Sequence, residues 1–430
     1  MKPAVKFIHT ADLHLGSRLQ LNTDNEREDT YKEAVYNSFK KIIDDAIDEN
    51  VHFVLIAGDV FDNEARSVKA TRFFKNQCER LNNNNIDMFL INGNHDPYRM
   101  DGELLELPDN VKICDSEEVS LFEVKKEDKL IARILGQSYR GKAESRKMYT
   151  YYTTPDQSVY NIGLLHTQLD PNNTNYVPVS KNDLMDNDHI DYWALGHIHD
   201  KRIINDHIPY IIYPGIPQGR DIGETGPGGY FLINLEPENT YYQFKEVSEY
   251  TFKRIELNLS NLPEATLTEL HYYLQDELEE LYSKLDKDVK GYILRIILKG
   301  RSELYEVLRE NNEEAINDLL LNVRSHFKNK SPSFWIDNII DHTSKKIPNI
   351  EEIMTEDPFI EEFNSFLHSL KEDNKERKKL KEKMGEIWNP AVDKENQDPK
   401  EFQVTKAEFE ELFAQAKDEI IQEIIERRDL

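Results

Sequence analysis

Residues 86–96 read IDMFLINGNHD. Met88 to Ile91 form a short unbroken apolar run, the pattern of a strand buried on both faces, and it stops on an amide, a glycine, a second amide, an imidazole and a carboxylate. Turn chemistry accounts for Asn, Gly and Asp at a strand end. On that reading Gly93 lets the backbone turn sharply and Asp96 anchors the loop through hydrogen bonds. Turn chemistry does not account for the recurrence of such ends elsewhere in the chain.

The runs AVKFIHTAD (4–12), VHFVLIAGD (51–59), YNIGLLHT (160–167) and DYWALGHIH (191–199) are of the same kind. Their ends supply Asp12 and His14, then Asp59, His166, and His197 with His199. Between them, Val35, Phe39, Ile42, Ile43 and Ala46 recur at helical spacing, which predicts a helix over 31–49; a second is predicted over 67–81. Short buried strands alternating with helices predict an α/β layered domain. In an open sheet of this kind the carboxyl ends of parallel strands face one crevice, so residues far apart in sequence meet there.

A mixed set of Asp, Asn and neutral His suits Mn²⁺, Fe²⁺ or Zn²⁺ better than Ca²⁺. The ligands are too many for one tetrahedral ion and divide between two, with a shared carboxylate such as Asp59, which follows a glycine. Paired divalent cations activate water and neutralise charge on a phosphoryl group, so phosphoester hydrolysis is the predicted chemistry.

The chain of 430 residues is too long for one average domain. No apolar run has the length of a membrane span, and the N-terminus has no signal-peptide pattern. With only Cys78 and Cys114, a disulfide framework is not expected and a reducing cytoplasm fits. A net charge of -27 argues against holding nucleic acid by bulk electrostatics, but a local basic groove or bound cations reverse the sign of a cleft.

From Gly229 the runs YFLINL, TYYQFKEV and FKRIELNL read as antiparallel strands alternating at period two. A strand, a helix over 266–285, the strand GYILRIILKG, a helix over 302–327 and the strand FWIDNIID then read as a small α+β module. After Pro348 the pattern is helical: a basic stretch over 371–383, then an acidic end. There Thr405 and Glu408 form a capping box before a stripe that includes Phe409, Leu412, Phe413 and Ile420.

The motifs DLHLGS, GDVFD, GNHD, GLLHTQ and LGHIH, in this order, resemble those of the calcineurin-like metallophosphoesterases. HTADLHLGS together with YPGIPQGRDIGETGPGGYFLINL is similar to the SbcD-type DNA repair exonucleases, in particular their bacterial YhaO-like branch. The resemblance implies a metallophosphoesterase sandwich over 1–250, two mixed β-sheets flanked by helices. It further implies a capping domain over 251–345 and a C-terminal helical region over 346–430 that binds an SbcC-like coiled-coil ATPase.

The resemblance also implies two divalent metal ions, most simply Mn²⁺. One would be held by Asp12, His14, Asp59 and His199, the other by Asp59, Asn94, His166 and His197. His95 would face the substrate as a catalytic residue, with Asp62 orienting its imidazole; many archaeal and eukaryotic relatives carry a histidine at that position instead. Arg18, Arg66, Arg99 and Arg220, in or after the motif loops, are candidate phosphate contacts. The implied function is a manganese-dependent DNA exonuclease, with endonuclease activity on single strands and a homodimeric state. A phosphoprotein, a cyclic nucleotide or another small phosphodiester is the alternative substrate class.

Overall fold

The structure, a computed structural model, describes residues 2–21, 31, 33–62, 67–98, 106–237, 240–262, 266–310 and 312–345, and beyond these only residues 362, 363, 365, 366, 416 and 420. Apart from those six, the partner-binding region expected over 346–430 lies outside the described residues, as do Arg66 and Arg99. The chain divides into two units. One holds Met1–Lys253, Asp286–Ile293 and Ser331–Asp337; the other holds Arg254–Leu285, Leu294–Lys330 and the chain from Asn338.

In the first unit, the runs that decided the reading become parallel neighbours. Strands β1 (Val5–Thr10), β2 (Phe53–Ala57), β3 (Asp87–Ile91) and β4 (Val111–Ile113) run parallel in one sheet. Beyond β1 it is extended by β11 (Gly229–Leu235) and β12 (Tyr241–Glu246), both antiparallel to their neighbours. A second sheet has the order β5-β6-β7-β8-β10-β9, formed by Ser120–Lys126, Lys129–Gly136, Tyr160–His166, Tyr192–Gly196, Tyr210–Tyr213 and Arg202–Asn205. Its middle strands β6, β7, β8 and β10 are parallel.

Side-chain alternation sorts each central strand between two cores. Phe53 and Leu55 of β2 enter the core shared with the second sheet, where they meet Ile134 and Ile162. Val54 and Ile56 face the other way, onto Phe39 of α1 (Ala34–Asp48) and Phe74 of α2 (Val68–Asn82). On the far side of the second sheet, Leu165 and Trp193 join Tyr139 and Tyr152 in a third core. Strands covered on both faces need no polar side, which is why these runs are apolar without interruption. At about 1.5–3 kcal/mol for each large side chain removed from water, these layers hold the strand ends in register.

The antiparallel expectation for YFLINL holds, but its period-two exposure does not. β11 sits inside the sheet between β12 and β1, with Tyr230 and Leu232 in one core and Phe231 and Ile233 in the next. Helix α2 starts where expected: the Ser67 hydroxyl accepts a hydrogen bond from the Ala70 N–H and caps it.

The second unit carries most of a three-stranded sheet of order β13-β14-β15, formed by Tyr250–Asn258, Gly291–Ser302 and Ser333–Lys345. Among the described residues its helices are α4 (Leu267–Lys284), α5 (Leu304–Glu310) and α6 (Asn312–Phe327), following the short α3 (Lys181–Met185) of the first unit. Of the helix expected over 302–327 the structure describes Leu304–Glu310 and Asn312–Phe327, and residue 311 lies outside the described residues. Leu270, Leu274 and Leu278 give α4 one buried stripe, and α4 packs on α6.

Candidate metal centre

The loops that leave β1 and β2 are joined by backbone hydrogen bonds. The N–H groups of Asp12, His14 and Leu15 donate to the carbonyls of Gly58, Asp59 and Val60 at 3.0, 3.0 and 2.9 Å. Asp12, His14 and Asp59 all sit in the left-handed backbone region, with φ of 52, 45 and 51°, and His197 after β8 has φ of 95°. That region disfavours residues with a Cβ by roughly 1–2 kcal/mol each, and such residues gather where a fold must aim side chains.

Two glycines serve these side chains by lacking one. Gly58 has φ +101°, and a Cβ there would lie 2.2 Å from Nδ1 of His166. Gly93 has no left-handed backbone to accommodate, so the expected role in a sharp turn is replaced by close approach: a Cβ there would lie 2.3 Å from Oδ1 of Asp59.

The strand ends converge, but from two facing sheets rather than one open sheet. His166 donates from Nδ1 to the Ala57 carbonyl at 2.9 Å, which turns Nε2 toward Asn94 Oδ1 at 2.9 Å and Asp59 Oδ2 at 3.4 Å. Nδ1 of His197 lies 3.2 Å from the same Asn94 oxygen, and its backbone N–H donates to both oxygens of Asp12. Nε2 of His14 faces Nε2 of His199 at 3.2 Å. Three sets have ligand atoms within 4.8 Å of one another: Asp12 with His14 and His199, Asp12 with Asp59 and His166, and His14 with Asp59 and His95.

This arrangement fits divalent cations. Nδ1 of His199 faces a carboxylate oxygen of Glu224 at 2.6 Å, so that nitrogen donates and Nε2 is the one that could ligate. It faces another imidazole nitrogen, beside two buried carboxylates, while Nδ1 of His14 is buried without a hydrogen-bond partner. Imidazole nitrogens, an amide oxygen and buried carboxylates converging in one cleft form a ligand set that a divalent cation would satisfy, and such nitrogen and oxygen donors suit a borderline transition metal.

A family model for calcineurin-like phosphoesterases matches residues 5–201. The chain is 32% identical over 361 residues to the "uncharacterized metallophosphoesterase YhaO" of Bacillus subtilis (strain 168), a match that covers 82% of this chain and 84% of that protein. The chain belongs to the calcineurin-like metallophosphoesterases. It is also 34% identical over 206 residues to the DNA double-strand break repair protein Mre11 of Methanocaldococcus jannaschii, covering 46% of this chain and 52% of the relative. With the protein of the same name from Methanococcus maripaludis it shares 26% identity over 358 residues, 76% of this chain and 91% of that one.

As a metallophosphoesterase the chain is a metal-dependent phosphoester hydrolase, in a family that typically binds two divalent metals. The charge distribution around the crevice is uneven. Burial lowers the pKa of His14 and of His197 well below the ordinary value, which keeps both imidazoles neutral and able to ligate. Burial pulls His95 the same way, but the Asp62 and Asp59 carboxylates outweigh it and its pKa is raised. Nδ1 of His95 is 3.8 Å from Asp62, an ion-pair distance, and the His95 side chain remains 42% exposed. The metallophosphoesterase crevice therefore combines two buried imidazoles held neutral by burial, His14 and His197, with His166, His199 and the accessible His95, whose pKa values the neighbouring carboxylates raise.

Asp96 anchors the loop as expected, accepting from the backbone N–H groups of Gly93 and Phe61 at 3.0 Å each. Arg18 is exposed. Arg220 is only 14% exposed, with its guanidinium against Glu224 at 2.9 Å and 3.9 Å from Asp62. Sequence reasoning missed Glu224. It lies in the Gly- and Pro-rich stretch YPGIPQGRDIGETGPGGY, four residues after Arg220, where attention to cations as phosphate contacts passed over the acid.

Proposed function

We propose that this metallophosphoesterase is a manganese-dependent DNA phosphodiesterase, acting as an exonuclease with endonuclease activity on single strands. One observation carries the reading: an accessible His95, at ion-pair distance from Asp62, stands beside the crevice where Asp12, His14, Asp59, Asn94, His166, His197 and His199 meet. The likeness over most of the chain to a protein named for DNA double-strand break repair supports the choice of DNA. Bound cations would supply water activation and charge neutralisation at phosphorus. Asp12, His14, Asp59 and His199 would hold one, and Asp59, Asn94, His166 and His197 the other. His95 donates a proton to the departing sugar oxygen, and Asp62 keeps that imidazole charged until it does.

On this reading residues 251–345 act as a cap that restricts access of DNA ends, and residues 346–430 bind an SbcC-like ATPase in a homodimeric assembly. A cytoplasmic setting accords with Cys78 and Cys114, both buried as free thiols. Among the described residues no helix is long and apolar enough to cross a membrane.

The test is a time course on end-labelled single- and double-stranded DNA with Mn²⁺ or Mg²⁺, run beside bis-para-nitrophenyl phosphate, a phosphopeptide and cyclic nucleotides. Progressive shortening of DNA with Mn²⁺ is the expected result. Turnover of the small diesters, cyclic nucleotides or phosphopeptide with intact DNA would transfer the same chemistry to another substrate class.

A further inference from the structure

We infer that Glu224 and Arg220 form a positioning pair that fixes the ring of His199 for metal binding and ties it to the Asp62–His95 pair across the crevice. The inference rests on the assignment of His199 as a metal ligand. A histidine can ligate through Nε2 only when its proton is on Nδ1, and a carboxylate accepting from Nδ1 selects that tautomer, fixes the ring plane and raises the basicity of the free nitrogen. Oε1 of Glu224 lies 2.6 Å from Nδ1 of His199. The Glu224 carboxylate is itself held: Oε2 accepts from the backbone N–H of Arg220 at 2.6 Å, and Oε1 from its guanidinium at 2.9 Å. The side chains of Glu224 and Arg220 are only 10% and 14% exposed, so the pair sits where its charges are weakly screened.

Arg220 does more than neutralise Glu224. Its other terminal nitrogen is 3.9 Å from Oδ2 of Asp62, whose Oδ1 is 3.8 Å from Nδ1 of His95. Its carbonyl accepts from the N–H of Gln20 at 2.6 Å, which ties this loop to the segment after β1. One arginine thus stands between the carboxylate that faces His199 and the carboxylate that faces His95. With its side chain 14% exposed and engaged by Glu224, little of the Arg220 guanidinium is open to a phosphate. Inward positioning, rather than direct contact with substrate, is the role this geometry supports.

The test uses the full chain and reads metal binding, without turnover. Mn²⁺ affinity and stoichiometry are measured by titration against a chelator for wild type, Glu224→Gln, Glu224→Asp and His199→Ala. The His199 tautomer is read by ¹⁵N NMR on histidine-labelled, metal-free protein. Glutamine keeps the volume but offers an amide that can donate to Nδ1, so Glu224→Gln should move the proton to Nε2 and weaken Mn²⁺ binding by about 10–100-fold. Glu224→Asp should recover part of the loss. Circular dichroism identifies any variant that is unfolded, and the tautomer of Glu224→Gln then decides alone. Wild-type affinity and an unchanged tautomer in Glu224→Gln, with impaired binding in His199→Ala, would overturn the positioning role and leave the metal centre standing. Unimpaired binding in His199→Ala would remove the ligand assignment and the positioning role together.

Discussion

On the proposed mechanism, His95 is the residue of the crevice whose removal should separate chemistry from metal binding. Glutamine in its place keeps a polar side chain beside Asp59 but cannot donate the proton of an imidazolium. His95→Gln should keep the wild-type metal content, by elemental analysis, and lower kcat on DNA by about 10²–10⁴-fold. The Asp62 carboxylate acts through the same ring. Burial pulls the His95 pKa down and Asp62 and Asp59 raise it beyond that, so removal of the Asp62 charge lowers it. Proton donation is lost as pH rises through that pKa. Asp62→Asn should therefore shift the alkaline limb of the kcat profile to lower pH and leave the acid limb in place. An unmoved alkaline limb would detach Asp62 from His95. His9 shows why not every strand histidine belongs to this chemistry. Its Nδ1 meets the Tyr192 hydroxyl at 2.9 Å and its Nε2 the Leu195 carbonyl at 3.2 Å, and burial lowers its pKa to about 3.

At the scale of elements, the end of β3 depends on the side chain that Gly93 lacks as much as on those of Asn94 and His95. Gly93→Ala would drive a methyl group into the Asp59 carboxylate while the strand and both cores stay intact. Metal content should fall with circular dichroism unchanged; full metal loading would show that the loop shifts to make room. The five runs ending in Asp, Asn or His were legible because strands covered on both faces leave unbroken apolar signatures, and α1 and α2 because their apolar residues recur at helical spacing. Strands β5 and β9 carry exposed residues, and β4 and β10 are only three and four residues long, too short for periodicity to mark. The candidate ligands in DLH, GD, GNH and GHIH could be read because each follows closely on a strand. Glu224 could not, since it reaches His199 from a loop 25 residues further on and no local pattern links the two.

For the whole molecule, a net charge of -27 and the proposed polyanionic substrate are reconciled if bound cations change the sign at the crevice. The folded protein and its metals should then be linked: Mn²⁺ at 100 times its Kd adds about 2.7 kcal/mol per site to stability. Thermal unfolding in EDTA should occur several degrees below that in Mn²⁺, with recovery on re-addition; coincident transitions would contradict a buried metal centre. The left-handed backbones of Asp12, His14, Asp59 and His197 carry this linkage into the history of the protein. Each is a place where glycine, or asparagine, would ease the main chain, so a lineage released from catalysis could gain stability by drifting there. All four positions carry Asp or His, the side chains proposed to hold metal. Main-chain ease is thus given up at the four positions that aim these side chains.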